Sequence, residues 1–169
     1  ANSLLAFARR PAPVQVTYLG YAGTTGMAAM DFRLTDPHLD PPGLDANYSE
    51  CSLRLPRTYW CYAAPPEAPA DVAPPPSQST GVVTFGCLNN FCKVNLGVLK
   101  LWSRVLNACE NSRLILLAAE GSHREETLRQ LEREGIARDR ITFAAHQPRQ
   151  QYLELYRQID LGLDTVPYN

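Results

Sequence analysis

The sequence has almost no net charge and no long apolar run. Its 16 Lys and Arg residues nearly balance 17 Asp and Glu residues, which leaves a formal net charge of -1. A chain without a basic surplus has no field to attract nucleic acid or an anionic membrane, so we expect neither partner. No apolar stretch approaches the roughly 20 residues of a transmembrane helix, and no signal peptide is recognisable. These absences predict a soluble, cytoplasmic protein.

The sequence also lacks the cysteine and histidine patterns of a metal site. Its five cysteines include no C-x-x-C pair, and its three histidines are scattered. A structural zinc site needs about four such ligands at close, regular spacing. We therefore predict no metal and no cofactor, and we expect the cysteines to be reduced thiols, as is usual inside cells.

Proline is concentrated in one segment, residues 63–80, which holds six of the 14 prolines. Proline has no N–H donor and restricts the residue before it to extended geometry. We therefore expect neither a helix nor a central strand here, but a semi-rigid linker. This linker would divide the chain into domains at residues 1–62 and 81–169.

The second half alternates between apolar runs and helical periodicity. The expected strands cover residues 82–87, 114–118, 141–145 and 161–164. Between them, the pattern predicts a helix with Val98, Leu101 and Trp102 on its buried face, a helix that starts with a capping box at Ser122 and Glu125, and a helix over 149–158. The order βαβαβαβ predicts a parallel, doubly wound sheet of α/β class.

The first half gives weaker signals. Short strands are expected near residues 14–19, 32–35 and 51–55, separated by Gly- and Thr-rich loops. About 60 residues are too few for a complete α/β domain, so this half is interpreted as the tail of a Rossmann-like lobe. The chain also stops just after its last predicted strand, and we expect it to be a fragment of a longer protein.

Lys93 follows the strand at 82–87 and precedes a predicted helix. In a parallel sheet this position lies in the crevice at the carboxyl ends of the strands, where ligands bind. A lysine beside the free N–H groups of a helix N-terminus suits a phosphate group. The alternative is an ordinary solvated lysine.

Four sequence runs resemble one enzyme family. These runs are RPAPVQV at 10–16, LGYAGTTG at 19–26 followed by MD at 30–31, LNNFCKVN at 88–95 and LDTVPYN at 163–169. In the same order, they are similar to the motifs of the O-GlcNAc transferase/SPINDLY family of glycosyltransferases. The resemblance implies the two-lobed glycosyltransferase B fold with a donor cleft between its lobes.

The resemblance also implies an activity. Members of this family move a sugar from a nucleotide diphosphate to Ser or Thr hydroxyls of intracellular proteins, with inversion at the anomeric carbon and without a metal. We therefore expect UDP-GlcNAc as donor substrate and a protein as acceptor, with tetratricopeptide repeats upstream.

Carried over position by position, the resemblance assigns Lys93 to the departing diphosphate as the catalytic residue. The remaining assignments are to substrate binding: Asn90 beside the diphosphate, Leu19, Gly20 and Tyr21 at the sugar, Gln147 and Arg149 at the base and ribose, Tyr152 stacked on the base, and Tyr168 in the final run.

Several alternatives remain open at this stage. Ala22 stands where the family has proline, and plant SPINDLY proteins use GDP-fucose, so a GDP-fucose-dependent O-fucosyltransferase is one alternative. A non-catalytic nucleotide-sugar-binding or scaffold protein is another, and an enzyme with glycan or small-molecule acceptors is a third. Because the family's upstream His and Asp and its G-H-T-T loop are not in this sequence, we expect the isolated chain to be inactive.

Overall fold

A computed structural model describes residues 3–20 and 22–166 of the chain. The chain divides into two compact units, Ala1–Ala64 and Pro65–Asn169. Within the described residues, no helix is long and apolar enough to cross a membrane.

The first unit is built on a small parallel sheet of three strands. A single helical turn, α1 (Leu4–Phe7), precedes strands β1 (Val16–Thr17), β2 (Phe32–Thr35) and β3 (Cys51–Arg54), which pair in sequence order. Residues 27–30 form one turn, closed by a 3.0 Å bond between the Met30 N–H and the Met27 carbonyl. The predicted strands exist here, but β1 is shorter than the sequence indicates.

The second unit is a doubly wound sheet of four parallel strands. Strands β4 (Val83–Cys87), β5 (Ser112–Leu117), β6 (Ile141–Ala144) and β7 (Leu161–Gly162) lie in the order β6-β5-β4-β7. The helices between them are α3 (Leu96–Ala108), α4 (Ser122–Arg133) and α5 (Arg149–Leu155), and a one-turn helix, α2 (Ser77–Thr80), precedes β4. The predicted α/β class with parallel strands is confirmed.

The alternation of side chains along β5 shows why both faces of this sheet are covered. Leu114 and Leu116 belong to the core shared with α3 and α4, while Ile115 and Leu117 belong to a smaller core with Leu155 of α5. Successive side chains of a strand point to opposite faces, so an uninterrupted apolar run requires cover on both sides.

Helix α3 buries a slightly different stripe from the predicted one. Val98, Leu99 and Trp102 are buried, whereas Leu101 is 42% exposed. At 3.6 residues per turn, Leu101 lies about a third of a turn from the middle of the buried stripe. The prediction for Leu101 was therefore wrong, and Leu99 takes its place in the core.

Helix α4 starts at Ser122 itself, with Gly121 as its N-cap residue and no side-chain cap. The capping box predicted from Ser122 and Glu125 is therefore wrong. The Glu125 carboxylate pairs instead with Arg138, which follows the helix.

From Pro65 onward, the proline-rich segment belongs to the second unit. The carboxylate of Asp160 accepts hydrogen bonds from the Ser77 N–H at 2.9 Å and from the Thr84 N–H at 2.7 Å. Arg157 after α5 pairs with Asp71 at 2.6 Å. Proline excludes long helices and ladders from this segment, yet the single turn of α2 forms because it begins directly after Pro76.

Candidate functional site

The strand order of the second unit creates a crevice at the carboxyl ends of β4 and β7. In sequence order, β5 pairs with one side of β4, and β6 pairs with the far side of β5. After α5, the chain returns to the middle of the sheet, and β7 pairs with the other side of β4. Such a reversal separates the loops that follow the two neighbouring strands, and ligands bind in the gap. β4 and β7 pair through Phe85 with Leu161 and Gly86 with Gly162.

Lys93 lies in the loop after β4, in a short 3-10 turn that two asparagines define. Asn90 begins this turn, and its side-chain oxygen accepts a hydrogen bond from the Cys92 N–H at 3.2 Å. The Lys93 N–H donates to the Asn90 carbonyl at 3.0 Å. Asn95 then caps α3 by accepting from the Val98 N–H at 3.1 Å. The half-buried Lys93 is therefore held by a fixed backbone, two residues before the cap of a 13-residue helix.

The loop after β7 is joined to the loop after β4 by side-chain hydrogen bonds. The Asn89 amide donates to an Asp164 carboxylate oxygen at 3.0 Å, and that oxygen also accepts from the Thr165 N–H at 2.8 Å. The Asn95 amide donates to the Val166 carbonyl at 3.0 Å. The two sides of the crevice are therefore tied together beside Lys93.

Opposite charges lie near the end of β4. Burial raises the pKa of the Cys87 thiol, the negative charge of Asp164 raises it further, and the positive charge of Lys93 lowers it. Because both charges act on one buried sulfur atom, Lys93 and Asp164 belong to the same local environment.

Two cavities lie near these loops. One of about 430 Å³ is lined in part by Leu88, Asn89 and Asp164. A larger groove of about 800 Å³ lies between α3 and α4 and is lined by residues that include Cys92 and His123. The smaller cavity runs beside β4 and β7, from residues that follow these strands, such as Asn89 and Asp164, back to Ile159 and Asp160, which precede β7; Lys93 does not line it.

The other predicted residues of this unit lie at the junction between β6 and α5. Arg149 is the first residue of α5, and its Nε atom is 3.5 Å from a Glu67 carboxylate oxygen. Gln147 is half-buried in the loop before it. Because β5 separates β6 from β4, this junction is two strand spacings, or about 10 Å, from the Lys93 loop. The structure thus places these residues on the same edge of the sheet as Lys93.

Tyr152 combines a structural contact with partial exposure. It packs against the core of Leu88, Ile115, Leu117 and Leu155, and its hydroxyl lies 3.3 Å from the Leu88 carbonyl oxygen. Its ring meets that of Tyr156 edge to face at 5.7 Å. Stacking of Tyr152 on a base stays a prediction.

In the first unit, Leu19 has a strained backbone. Its φ angle is +64°, and the Gly20 N–H donates to the Tyr18 carbonyl at 2.8 Å, which closes a γ-turn around it. A γ-turn with a positive central φ is rare, and a bulky residue in it costs energy that surrounding contacts must supply. Contact of Leu19 and Gly20 with the donor sugar stays a prediction. Tyr21 and Tyr168, both also predicted, lie outside the described residues.

Two buried charged residues that the sequence did not indicate hold the following loop. Glu50 is 4% exposed and accepts hydrogen bonds from the Thr24 hydroxyl at 2.7 Å, the Thr25 N–H at 2.7 Å and the Thr25 hydroxyl. Arg33 is 2% exposed and donates to the Ala22 carbonyl at 2.9 Å. These contacts join residues about 11 to 26 positions apart, so the sequence did not reveal them. The one sequence feature that could have indicated Glu50 was its position as a lone carboxylate directly before a strand.

The surroundings of Glu50 strongly lower the pKa of its carboxyl group. Burial alone would raise the pKa of this carboxyl group, but the hydrogen bonds from Thr25 and Thr24 outweigh burial and lower the pKa to about 2. Glu50 is therefore ionised across the neutral range, and its charge is compensated by donors from the loop.

Possible metal ligands are dispersed. Within residues 3–20 and 22–166, no three His, Cys, Asp or Glu side chains converge in a way that could hold a metal ion. A metal-free reaction stays a prediction of the family resemblance.

Comparison with known proteins identifies similar sequences. The model of Glycosyl transferase family 41 matches residues 2–63. Over 99% of its length, the chain is 40% identical to proteins of Solanum lycopersicum and Arabidopsis thaliana, each named a probable UDP-N-acetylglucosamine--peptide N-acetylglucosaminyltransferase SPINDLY. It is 30% identical, over 94% of its length, to the corresponding probable transferase SEC of Arabidopsis thaliana.

A solved structure is similar as well. A lysine-to-methionine mutant of the Thermobaculum terrenum O-GlcNAc transferase is 41% identical and superposes with a TM-score of 0.86. The match covers 98% of this chain and 31% of that one. The chain spans about a fifth of the length of the curated relatives that it matches, 17% to 19% for the three named above.

Proposed function

Because this chain belongs to the O-GlcNAc transferase/SPINDLY family of glycosyltransferases, we propose that the protein transfers GlcNAc from UDP-GlcNAc to Ser and Thr hydroxyls of intracellular proteins. One observation carries the proposal: Lys93 lies in the loop after β4, at the carboxyl end of that strand, on a backbone fixed by Asn90. This is the position at which a parallel sheet binds the phosphates of a nucleotide.

Lys93 acts on the charge that develops during transfer. Breaking the bond between the anomeric carbon and the diphosphate leaves negative charge on the departing oxygen, and a preorganised cation stabilises it. At about 4 Å and an effective dielectric constant near 20, the attraction is about 4 kcal/mol. Loss of that stabilisation would slow the step by roughly three orders of magnitude.

The proposed reaction is metal-independent and inverts the configuration at the anomeric carbon. A lysine and the free N–H groups at a helix N-terminus together supply positive charge to the diphosphate. Asn90 lies beside the same phosphates, Gln147 and Arg149 contact the base and ribose, and Leu19 and Gly20 contact the sugar. The acceptor hydroxyl attacks from the face opposite the departing diphosphate, which gives inversion.

The identity of the donor substrate has a specific alternative. The chain is 40% identical to the SPINDLY proteins and 30% identical to SEC. Because the sequence leaves GDP-fucose open as the donor, protein O-fucosylation from GDP-fucose is the second candidate. A nucleotide-sugar-binding scaffold without turnover is the third.

One experiment separates the three candidates. The full-length protein is incubated with UDP-GlcNAc or GDP-fucose and a mixture of intracellular proteins, with and without a chelator, and modified peptides are identified by mass spectrometry. We expect GlcNAc on Ser and Thr, at the same rate with chelator. Fucose alone would overturn the donor assignment. Nucleotide binding without modification would favour the scaffold, and loss of activity with chelator would refute metal independence.

A further inference from the structure

We propose that Glu50 is a positioning residue that holds Thr24 and Thr25 in the sugar-contacting loop, and that it thereby sets recognition of the donor sugar. The loop is defined here as residues 19–20 and 22–26, the part of it that the structure describes. The inference rests on the proposed function, because it assumes that this loop contacts the sugar of the donor.

The contacts of Glu50 are directed almost entirely at this loop. Its carboxylate accepts from the Thr24 hydroxyl, the Thr25 N–H and the Thr25 hydroxyl. The residue before it takes part as well: the Ser49 N–H donates to the Thr24 hydroxyl oxygen at 3.2 Å, and the two hydroxyls are 2.9 Å apart. Thr24 and Thr25 are thus held to the start of β3 by their side chains and by backbone.

Burial makes these contacts obligatory. Glu50 is 4% exposed, so its negative charge cannot rely on bulk water and needs nearby donors. The loop provides them, and removing the carboxylate would in turn leave the Thr25 N–H and the Thr25 hydroxyl without this acceptor, while the Thr24 hydroxyl would keep its neighbour Ser49. The conformation of Thr24 and Thr25 is therefore coupled to the Glu50 charge.

The preceding part of the loop is anchored independently. The guanidinium of Arg33 donates to the Ala22 carbonyl at 2.9 Å, pairs with Asp40 at 2.5 Å and lies 3.5 Å above the Tyr48 ring. Ala22 stands where the family has a proline, so the ring that would restrict the backbone is absent. In this chain, the Arg33 contact anchors the backbone at Ala22.

The loop also contains backbone that needs such support. Leu19 has a φ angle of +64° in its γ-turn. A strained turn persists only when its surroundings over-determine it. Loosening the Glu50 contacts should let the loop relax from the conformation that meets the sugar.

Recognition of the sugar and binding of the nucleotide are expected to depend on different residues. The groups proposed to hold the diphosphate and base are in the second unit, whereas Glu50 acts on a loop of the first. A change at Glu50 should therefore reduce the rate of sugar transfer while leaving the affinity for UDP, which has no sugar, close to that of the wild type. A residue that merely stabilised the fold would lower both together.

The test uses full-length protein and two measurements for each variant: the Kd for UDP by calorimetry and kcat/KM for GlcNAc transfer. For Glu50→Gln we expect kcat/KM to fall roughly tenfold to a hundredfold, the range expected for hydrogen bonds to a charged group. The Kd for UDP should change by less than about twofold. Asp45→Asn is the matched control, because Asp45 is an exposed carboxylate of the same unit that pairs with Arg54; it should leave both values unchanged.

A second pair of variants keeps the inference testable if Glu50→Gln does not fold. Thr24→Val removes the hydroxyl at nearly constant volume, whereas Thr24→Ser retains it. We expect Thr24→Val to lower kcat/KM with little change in UDP affinity, and Thr24→Ser to stay near the wild type.

The outcomes identify which claim fails. Equal losses of UDP affinity and kcat/KM, or no loss of either, would overturn the role of Glu50 while leaving the proposed function intact. A wild-type protein that binds no UDP and transfers no GlcNAc would overturn the proposed function, and this inference with it.

Discussion

The side-chain amide of Asn89 donates a 3.0 Å hydrogen bond to the carboxylate of Asp164, 75 residues further along the chain. Asn89 follows β4 and Asp164 follows β7, so this bond joins the two loops on either side of the crevice. A second hydrogen bond joins the loop after β7 to α3, because the indole N–H of Trp102 donates to the Asp164 carbonyl at 3.2 Å. The geometry of the proposed diphosphate site therefore depends on residues that are not themselves expected to touch the donor.

Exchanging the two side chains tests this bond. Asn89→Asp alone should weaken UDP binding and lower the unfolding temperature, because it places two carboxylates within hydrogen-bond distance. The double variant Asn89→Asp, Asp164→Asn restores an amide–carboxylate pair, and we expect it to recover most of the loss. A coupling energy of about 1 to 3 kcal/mol is expected from the double-mutant cycle. Strictly additive losses would show that the bond does not organise the crevice.

Gly86 allows close packing behind the crevice. A Cβ atom at this position would overlap the side chain of Ile159, which precedes β7. Gly86→Ala should therefore destabilise the second unit by about 1 to 3 kcal/mol through overpacking. Ile159→Ala in the same protein should relieve part of that cost, as measured by thermal unfolding. A Gly86→Ala protein as stable as the wild type would refute the close contact.

The depressed pKa of Glu50 predicts an acid-sensitive first unit. The folded pKa is about 2, below the ordinary value of 4.5, so ionisation of Glu50 favours the folded state. Its contribution, on the order of 3 kcal/mol, is fully present above about pH 4.5 and is lost as the pH falls towards 2. Urea unfolding of wild type and Glu50→Gln, assigned to residues 3–64 by hydrogen exchange, should differ most near neutral pH. A difference that grows on acidification would contradict the prediction.

The second unit was largely predictable from sequence, for a physical reason. Long apolar runs such as 114–117 and the periodicity around Trp102 each reflect a face that must be buried, and parallel strands place the residues after them on one edge. That rule was enough to place Lys93, Gln147 and Arg149 at the same edge. It could not decide how far Tyr152 would be buried, because its ring is suited to both a core and a ligand.

Contacts between distant residues account for most of what the sequence did not indicate. In the proline-rich segment, Ser77 binds Asp160 and Asp71 binds Arg157, pairs that are 83 and 86 residues apart. Glu50 is similarly invisible to periodicity, because its partners are 25 and 26 residues earlier in the chain. Such pairings depend on tertiary structure, and neither local propensity nor motif spacing encodes them.

The most direct test of this account is the affinity of the full-length protein for UDP, measured by calorimetry for wild type, Lys93→Ala, Lys93→Arg and Lys100→Ala. Lys100 is an exposed lysine of α3, seven residues further on, and serves as the matched control. We expect Lys93→Ala to weaken UDP binding at least about tenfold, Lys93→Arg to retain part of the affinity because it keeps the charge, and Lys100→Ala to bind like the wild type. Unchanged UDP affinity in Lys93→Ala would contradict the claim that Lys93 binds the diphosphate.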